Sequence, residues 1–349
     1  MIKITVAFYL GIDSGGSKTT CSVGDETSLV ATATAGPSNV VRVGGSQARE
    51  SLHQSVRQAC AAAGITPAQV VHTCVGAAGA VRAEIISIVR AALAEILPTA
   101  IDVVGDMEIA LDAAFHDGPG VIVIAGTGSI AYGRDALGNT VRAGGWGFAI
   151  SDEGSAHWIG RAAISAVLRA KDSAEVSPAS KEEVAPLLLA ALLKAWGVAS
   201  LDDFLRAANS TPPPDFAALF PALVAAVQVN DELARQILTQ AGRELAHLAA
   251  IVIRRLQARA TPLSDIPESR LSESLVAETP VRLAIAGGVF RHASLVRDVF
   301  YNEVRRLHPL VEINPQIVDP VEGALRLARR AVPRSGVNDC EKDINRKAR

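Results

Sequence analysis

Residues Gly11 to Thr20 read Gly-Ile-Asp-Ser-Gly-Gly-Ser-Lys-Thr-Thr and follow directly on the apolar run Thr5 to Leu10. A strand that ends in a carboxylate and two adjacent glycines lets backbone come close to a polyanion. The stretch misses the G-x-x-x-x-G-K-[ST] phosphate loop, because Ser17 separates Gly16 from Lys18. Beyond Lys18 the pattern alternates, Thr20 and Ser22 against Cys21 and Val23, and a period of two is the signature of a strand. The motif is therefore expected at the tip of a β-hairpin and not at a helix N-terminus.

Length and composition narrow the classes. A chain of 349 residues, 49% apolar, is expected to form two domains with sizeable cores. A net charge of −2 lacks the basic surplus of a nucleic-acid binder. No apolar stretch approaches the ~20 residues of a membrane span, so neither nucleic acid nor membrane is expected as a partner. Met1 to Leu10 carries a single Lys and reads as a first strand, not a leader. Cys21, Cys60, Cys74 and Cys340 are scattered with no C-x-x-C pair. That argues against a structural zinc or a disulfide framework and points to the cytoplasm. The first three read as small buried hydrophobes.

Residues 4–34 read as three strands, with Asp25-Glu26-Thr27-Ser28 as the second turn and Gly36-Pro37-Ser38-Asn39 as a following loop. Ser46 is expected to cap a helix with Leu52, Val56, Ala59, Cys60 and Ala63 on its apolar face. A strand over Val70 to Val75, a helix over 81–97 and a strand over Ile101 to Val104 follow, with Asp106 just beyond the last. A helix over 107–115 closes this half at Gly118-Pro119-Gly120. The second half restarts in the same way: Val121 to Ala125, the turn Gly126-Thr127-Gly128-Ser129, then strands over Ile130 to Arg134 and Thr140 to Ala143. Such a repeat predicts an α/β fold of two similar domains facing each other, over 4–118 and 119–333. Residues 157–258 read as mostly helical, broken near Pro178 and at Pro212-Pro213-Pro214. Residues 261–280 read as a surface loop, Val281 to Ala286 as a strand, Glu322 to Arg330 as a last helix, and 334–349 as a disordered tail.

Three glycine-rich turns thus follow three strands: Gly11 to Thr19, Gly126 to Ser129, and Gly287-Gly288. Ligands of α/β sheets gather at the carboxyl ends of strands, and the backbone N–H groups of such turns suit phosphates. Asp13 is either a turn former or a magnesium-water ligand. Lys18 is a phosphate contact or a solvated strand residue. Asp106 suits an N-cap, and it equally suits a base that accepts a hydroxyl proton during phosphoryl transfer. Trp146, within Gly144-Gly145-Trp146-Gly147, is a core anchor or a wall of a sugar pocket. Asp152 and Glu153 either cap the helix carrying His157 or bind sugar hydroxyls, and His157 itself reads as structural.

In this order the motifs resemble the BadF/BadG/BcrA/BcrD ATPase family, part of the actin, sugar-kinase and heat-shock ATPase superfamily, and within it the N-acetylglucosamine kinases. The resemblance covers about residues 8–330 and rests most on Gly144 to Ala156. It implies two ribonuclease H-like domains of the actin-like ATPase fold with an interdomain cleft, ATP and Mg²⁺ as cofactors, and a homodimer. It makes Asp106 the base for a sugar 6-hydroxyl, and Asn39, Gly145, Trp146 and Asp152 the residues touching the sugar. It places Gly15, Gly16, Ser17, Lys18, Thr19, Thr127, Gly128 and Ser129 around the phosphates, Gly287 and Gly288 at the adenosine, and Mg²⁺ by Asp13 through water. The substrate expected is a small amino sugar, N-acetylglucosamine foremost, with glucosamine and N-acetylmuramic acid as alternatives. A partner-coupled ATPase is the alternative of a different class. The iron–sulfur activators of the family use paired cysteines, which the second half lacks.

Overall fold

The computed structural model describes residues 6–176, 186–260 and 280–332. The expected break at Pro178, the tail after 333, Cys340 and all but the last residue of the 261–280 loop lie outside these residues. The chain divides into two compact units, one of residues 1–109 with 321–349 and one of residues 110–320.

The first unit holds a five-stranded sheet in the order β3-β2-β1-β4-β5. Its strands are β1 (Phe8–Ser14), β2 (Thr19–Gly24), β3 (Leu29–Ala35), β4 (Val70–Ala77) and β5 (Ala100–Gly105). The β1, β2 and β3 strands pair antiparallel, whereas β1, β4 and β5 run parallel. The turn after β2 closes because Asp25 Oδ1 accepts from the Thr27 and Ser28 N–H groups at 2.8 and 2.7 Å. Helices α1 (Val40–Ala62) and α2 (Ala83–Ala94) cross between the parallel strands, and α3 (Asp106–Phe115) leaves β5. The α1 helix starts earlier than Ser46: Asn39 is its N-cap, and Gly44 at φ 77° separates its first turn from the rest. Past that kink the predicted face is buried, with Leu52, Val56 and Ala59 fully enclosed. Burying each such Leu or Val side chain contributes roughly 1.5–3 kcal/mol.

The second unit repeats the plan, in the order β10-β9-β6-β7-β8. It contains β6 (Gly120–Ala125), β7 (Ser129–Arg134), β8 (Thr140–Gly144), β9 (Arg282–Ala286) and β10 (Glu312–Val318). The helices α4 (Ala156–Val176), α5 (Pro186–Trp196), α6 (Leu201–Ala208), α7 (Phe220–Gln228) and α8 (Glu232–Ala260) fill the span between β8 and β9. The short α9 (Gly288–His292) and α10 (Ser294–Leu307) join β9 to β10, and α11 (Pro320–Ala331) comes last. The five-helix insertion supplies most of the unit's core, from Ile159 and Leu192 through Phe204 to Leu245 and Ile253.

The last helix departs from the sequence division. Nearly all of α11 belongs to the first unit, where Ala324, Leu325 and Ala328 pack with Tyr9, Cys74 and Ile109. Its Arg329 donates to the carbonyls of Asp25 and Ser28 at 2.7 and 2.8 Å. Cys21, Cys60 and Cys74 are buried as expected, and burial pushes the Cys60 thiol up to about 11. No single helix among the described residues is long and apolar enough to cross a membrane.

Candidate functional site

In the first unit the candidate residues collect at one edge of the sheet. The Ser14 position of β1 is in register with Ala77 of β4, and Ala77 with Gly105 of β5. Asp13 and Asp106 therefore sit at the carboxyl ends of strands two places apart, a separation of about 10 Å at the usual strand spacing. The glycine motif is a hairpin tip as the residue count required. Ser14 pairs with Thr19, and the Gly15 N–H donates to the Lys18 carbonyl at 3.1 Å. Asp13 is partly buried, while Ser17 and Lys18 are exposed.

The hairpin is strapped to the loop that carries Asn39. The Gly15 carbonyl accepts from the N–H groups of both Ser38 and Asn39 at 3.1 Å. Beneath it three hydroxyls form a buried cluster. Ser14 Oγ lies 2.8 Å from Ser38 Oγ, and Thr19 Oγ1 donates to Ser38 Oγ at 2.6 Å and to the Gly36 carbonyl at 2.7 Å, sharing one proton. All three side chains are fully buried. Arg42 adds an outer contact, Nη1 to the Gly16 carbonyl at 3.1 Å. Asn39 Oδ1 accepts from the Val41 N–H at 3.1 Å, so its amide NH₂ is the group left to meet a ligand. Sequence reasoning missed Ser14, Ser38 and Arg42. The available signal was a serine closing an apolar strand and another inside Gly36-Pro37-Ser38-Asn39.

Asp106 helps to close the start of α3. It opens α3, and its Oδ1 accepts from the Met107 N–H at 3.0 Å. Glu108 Oε1 accepts from the Gly105 N–H at 2.9 Å, the reciprocal half of a capping box. Burial pushes the Asp106 carboxyl above the usual carboxylate range. The Met107 and Asp106 N–H groups oppose this, and the Glu108 charge adds to it. A carboxylate fixed at a helix start, with raised basicity, is equipped to take a proton.

In the second unit three segments lock together at the ends of the parallel strands β6 and β9. The Gly126 N–H donates to the Gly128 carbonyl at 2.9 Å, and the Gly126 and Thr127 carbonyls accept from Ala156 and His157 at 2.9 and 3.3 Å. The glycine turn thus rests on the start of α4. Ser129 donates to the Glu153 carbonyl at 2.7 Å and accepts, through its own carbonyl, from Gly145 at 3.0 Å. Asp152 is buried, at φ 65°, a backbone conformation that Asp tolerates better than most residues. Its Oδ1 accepts from the Gly147 N–H at 3.3 Å, and a Cβ on Gly128 would meet its Oδ2 at 2.7 Å. Asp152 therefore touches both the glycine turn and the Gly-Gly-Trp-Gly segment. The third glycine turn closes on the second: at φ 102° a Cβ on Gly287 would lie 2.3 Å from the Ala125 carbonyl oxygen.

Trp146 is 65% exposed, which removes it from the core. The Arg142 guanidinium lies 4.5 Å over its ring. His157 is buried between Phe148 and Phe216, with ring centroids at 4.9 and 5.1 Å, as a structural histidine should be.

Known proteins are similar to this chain along nearly its whole length. The N-acetylmuramic acid/N-acetylglucosamine kinase of Clostridium acetobutylicum is 29% identical over 326 residues, 92% of this chain and 98% of that protein. The N-acetyl-D-glucosamine kinase of Dictyostelium discoideum is 27% identical over 334 residues, 92% and 97% of the two chains. A Chromobacterium violaceum protein solved as a candidate N-acetylglucosamine kinase superposes with a TM-score of 0.67 at 23% identity, covering 93% of this chain and 99% of that one. The two repeated sheets are accordingly those of the actin-like sugar-kinase fold. The same glycine turns, carboxylates and Gly-Gly-Trp-Gly segment fall inside residues 10–328, which match the family model throughout, and the chain belongs to the BadF/BadG/BcrA/BcrD ATPase family.

Proposed function

We propose that this chain is an ATP-dependent kinase that phosphorylates the 6-hydroxyl of an amino sugar, N-acetylglucosamine first. The observation that carries the reading is Asp106: a partly buried carboxylate of raised basicity, at the same sheet edge as a glycine hairpin and a loop asparagine. Family membership and the two curated kinase relatives support it. Asp106 accepts the 6-hydroxyl proton as the sugar oxygen attacks the γ-phosphorus and the bond to the β-phosphate oxygen breaks. The glycine turns at 15–19 and 126–129 hold phosphates through backbone N–H groups, with Gly287-Gly288 at the adenosine. Asn39, Gly145, Trp146 and Asp152 orient the sugar. Transfer of this kind is mostly positioning and charge stabilisation.

Among the described residues no three His, Cys, Asp or Glu side chains gather as a metal cage. A single strand-end carboxylate, Asp13, suits Mg²⁺, which keeps most of its waters and takes phosphate oxygens beside one or two carboxylates. Bound there, Mg²⁺ would neutralise phosphate charge. We assign the protein to the cytoplasm and expect it to act as a homodimer.

The deciding measurement is ADP release from Mg-ATP with no sugar, glucose, glucosamine, N-acetylglucosamine or N-acetylmuramic acid. Strong stimulation by N-acetylglucosamine is expected. A rate indifferent to every sugar would instead favour the partner-coupled ATPase. Trp146→Ala supplies a second check. Because the ring is exposed, Tm should hold, while KM for the sugar rises roughly tenfold, about 1.4 kcal/mol. An unchanged KM would take Trp146 out of the sugar site.

A further inference from the structure

We propose that Ser38 is a positioning residue that ties the nucleotide hairpin to Asn39, so that nucleotide and sugar each strengthen the binding of the other. The inference rests on the kinase reading above. It starts from the strap within the first unit. Two N–H groups, of Ser38 and Asn39, converge on one acceptor, the Gly15 carbonyl. Bonds meeting at a single atom make a pivot, about which the Asn39 loop can still turn. The second point of attachment is Ser38 Oγ, held between Ser14 at 2.8 Å and Thr19 at 2.6 Å. Ser14 closes β1 and Thr19 opens β2, so Ser38 grips both legs of the hairpin directly below its tip. Arg42 reaches Gly16 as well, but through a long flexible side chain.

On its other side the loop joins α1 across a kink. Gly44, at φ 77° with open space around its Cβ position, separates residues 40–43 from the body of α1. The segment from Ser38 to Val43 is therefore built to follow the hairpin more closely than it follows the helix. Nucleotide that orders the hairpin tip thereby orders Asn39, and sugar held by Asn39 orders the tip. Coupling between two sites is reciprocal and commonly 5–150-fold.

Ser38→Ala isolates this link. Thr19 keeps the Gly36 carbonyl as acceptor, and Ser14 keeps the Ser38 carbonyl at 3.3 Å. No buried hydroxyl is orphaned, so the variant should fold. Isothermal titration would give the Kd of N-acetylglucosamine with and without a non-hydrolysable ATP analogue and magnesium. We expect the analogue to tighten sugar binding about tenfold in the wild type and no more than about twofold in Ser38→Ala. The separate affinities should each move less than about threefold. A purely structural role would weaken both ligands together and leave their ratio unchanged, and that result overturns the proposal. So does a wild type that binds sugar with no help from nucleotide. A wild type that binds no sugar at all removes the kinase reading itself and this inference with it. Ser14→Ala cuts the same cluster from the β1 side, and is expected to lower the ratio too if Ser38→Ala proves poorly folded.

Discussion

Asp106→Asn is expected to lower kcat by roughly 10²–10⁴-fold, the usual contribution of a positioned general base, while the Kd for ATP stays near its wild-type value. The amide keeps an oxygen for the Met107 N–H, so the start of α3 survives and the loss is chemical. The same substitution should raise Tm. Burial holds the folded-state pKa of Asp106 above its unfolded value, with the Glu108 charge adding to the shift. A group shifted in that direction contributes stability below its unfolded pKa and loses it as pH rises through the folded one. Near neutral pH the ionised carboxylate is therefore a cost to the fold that asparagine relieves. Lost turnover with gained stability would mark a residue kept for chemistry. Turnover within tenfold of wild type would remove Asp106 as the base, and a fall in Tm would show that its hydrogen bond at the helix start outweighs its desolvation. The pH profile follows the same logic: kcat/KM should fall on the acid side, with a midpoint above the usual carboxylate range, because the base acts only when ionised.

Gly287→Val carries the largest expected structural effect. The residue sits at φ 102°, and its Cβ would lie 2.3 Å from the Ala125 oxygen and 2.6 Å from the Ala125 carbon. Both obstacles are backbone at the end of a buried strand, so neither can step aside cheaply. Backbone strain and overpacking each cost about 1–3 kcal/mol. A combined cost of about 3 kcal/mol or more lowers Tm by roughly 6–12 °C in a unit of this size. The neighbouring glycine is the control. At Gly288 the nearest atom to a Cβ is His292 Cδ2 at 3.9 Å, and Gly288→Ala should leave Tm almost unchanged. Thermal melts of the pair, with and without ATP, give the answer. Similar melts for both variants would show that the close approach to Ala125 relaxes without cost.

The parts of this fold legible in sequence were those written in local pattern. The hairpin reading came from one residue of spacing, Ser17 between Gly16 and Lys18, and from the alternation after it. The duplication was visible because strand, glycine turn and strand recur in order, and the two sheets do repeat one plan. What escaped depends on distant partners. The β10 strand was not read because Asn314 and Pro315 interrupt it; it lies at a sheet edge, where a proline can be accommodated, with a register shift between Ile313 and Ile317. The start of α1 was placed too late because Gly44 and Gly45 look like a loop, whereas Asn39 already caps a turn before them. The Ser38 cluster was invisible because its partners come from two strands and a loop. Among the candidate residues, positions at strand ends were readable. Which of them bond to one another was not.

The anchoring of α11 has a consequence for how the protein is made. The Arg329 contact with Asp25 spans 304 residues of sequence, and the Tyr9, Cys74 and Ile109 patch packs against that helix. At synthesis rates of about 5–20 residues per second, the first strands wait roughly 15–60 s for the segment that seals them. Strands made early are thus among the last of their sheet to be finished, and for that interval their apolar flank is in the keeping of whatever meets the ribosome exit.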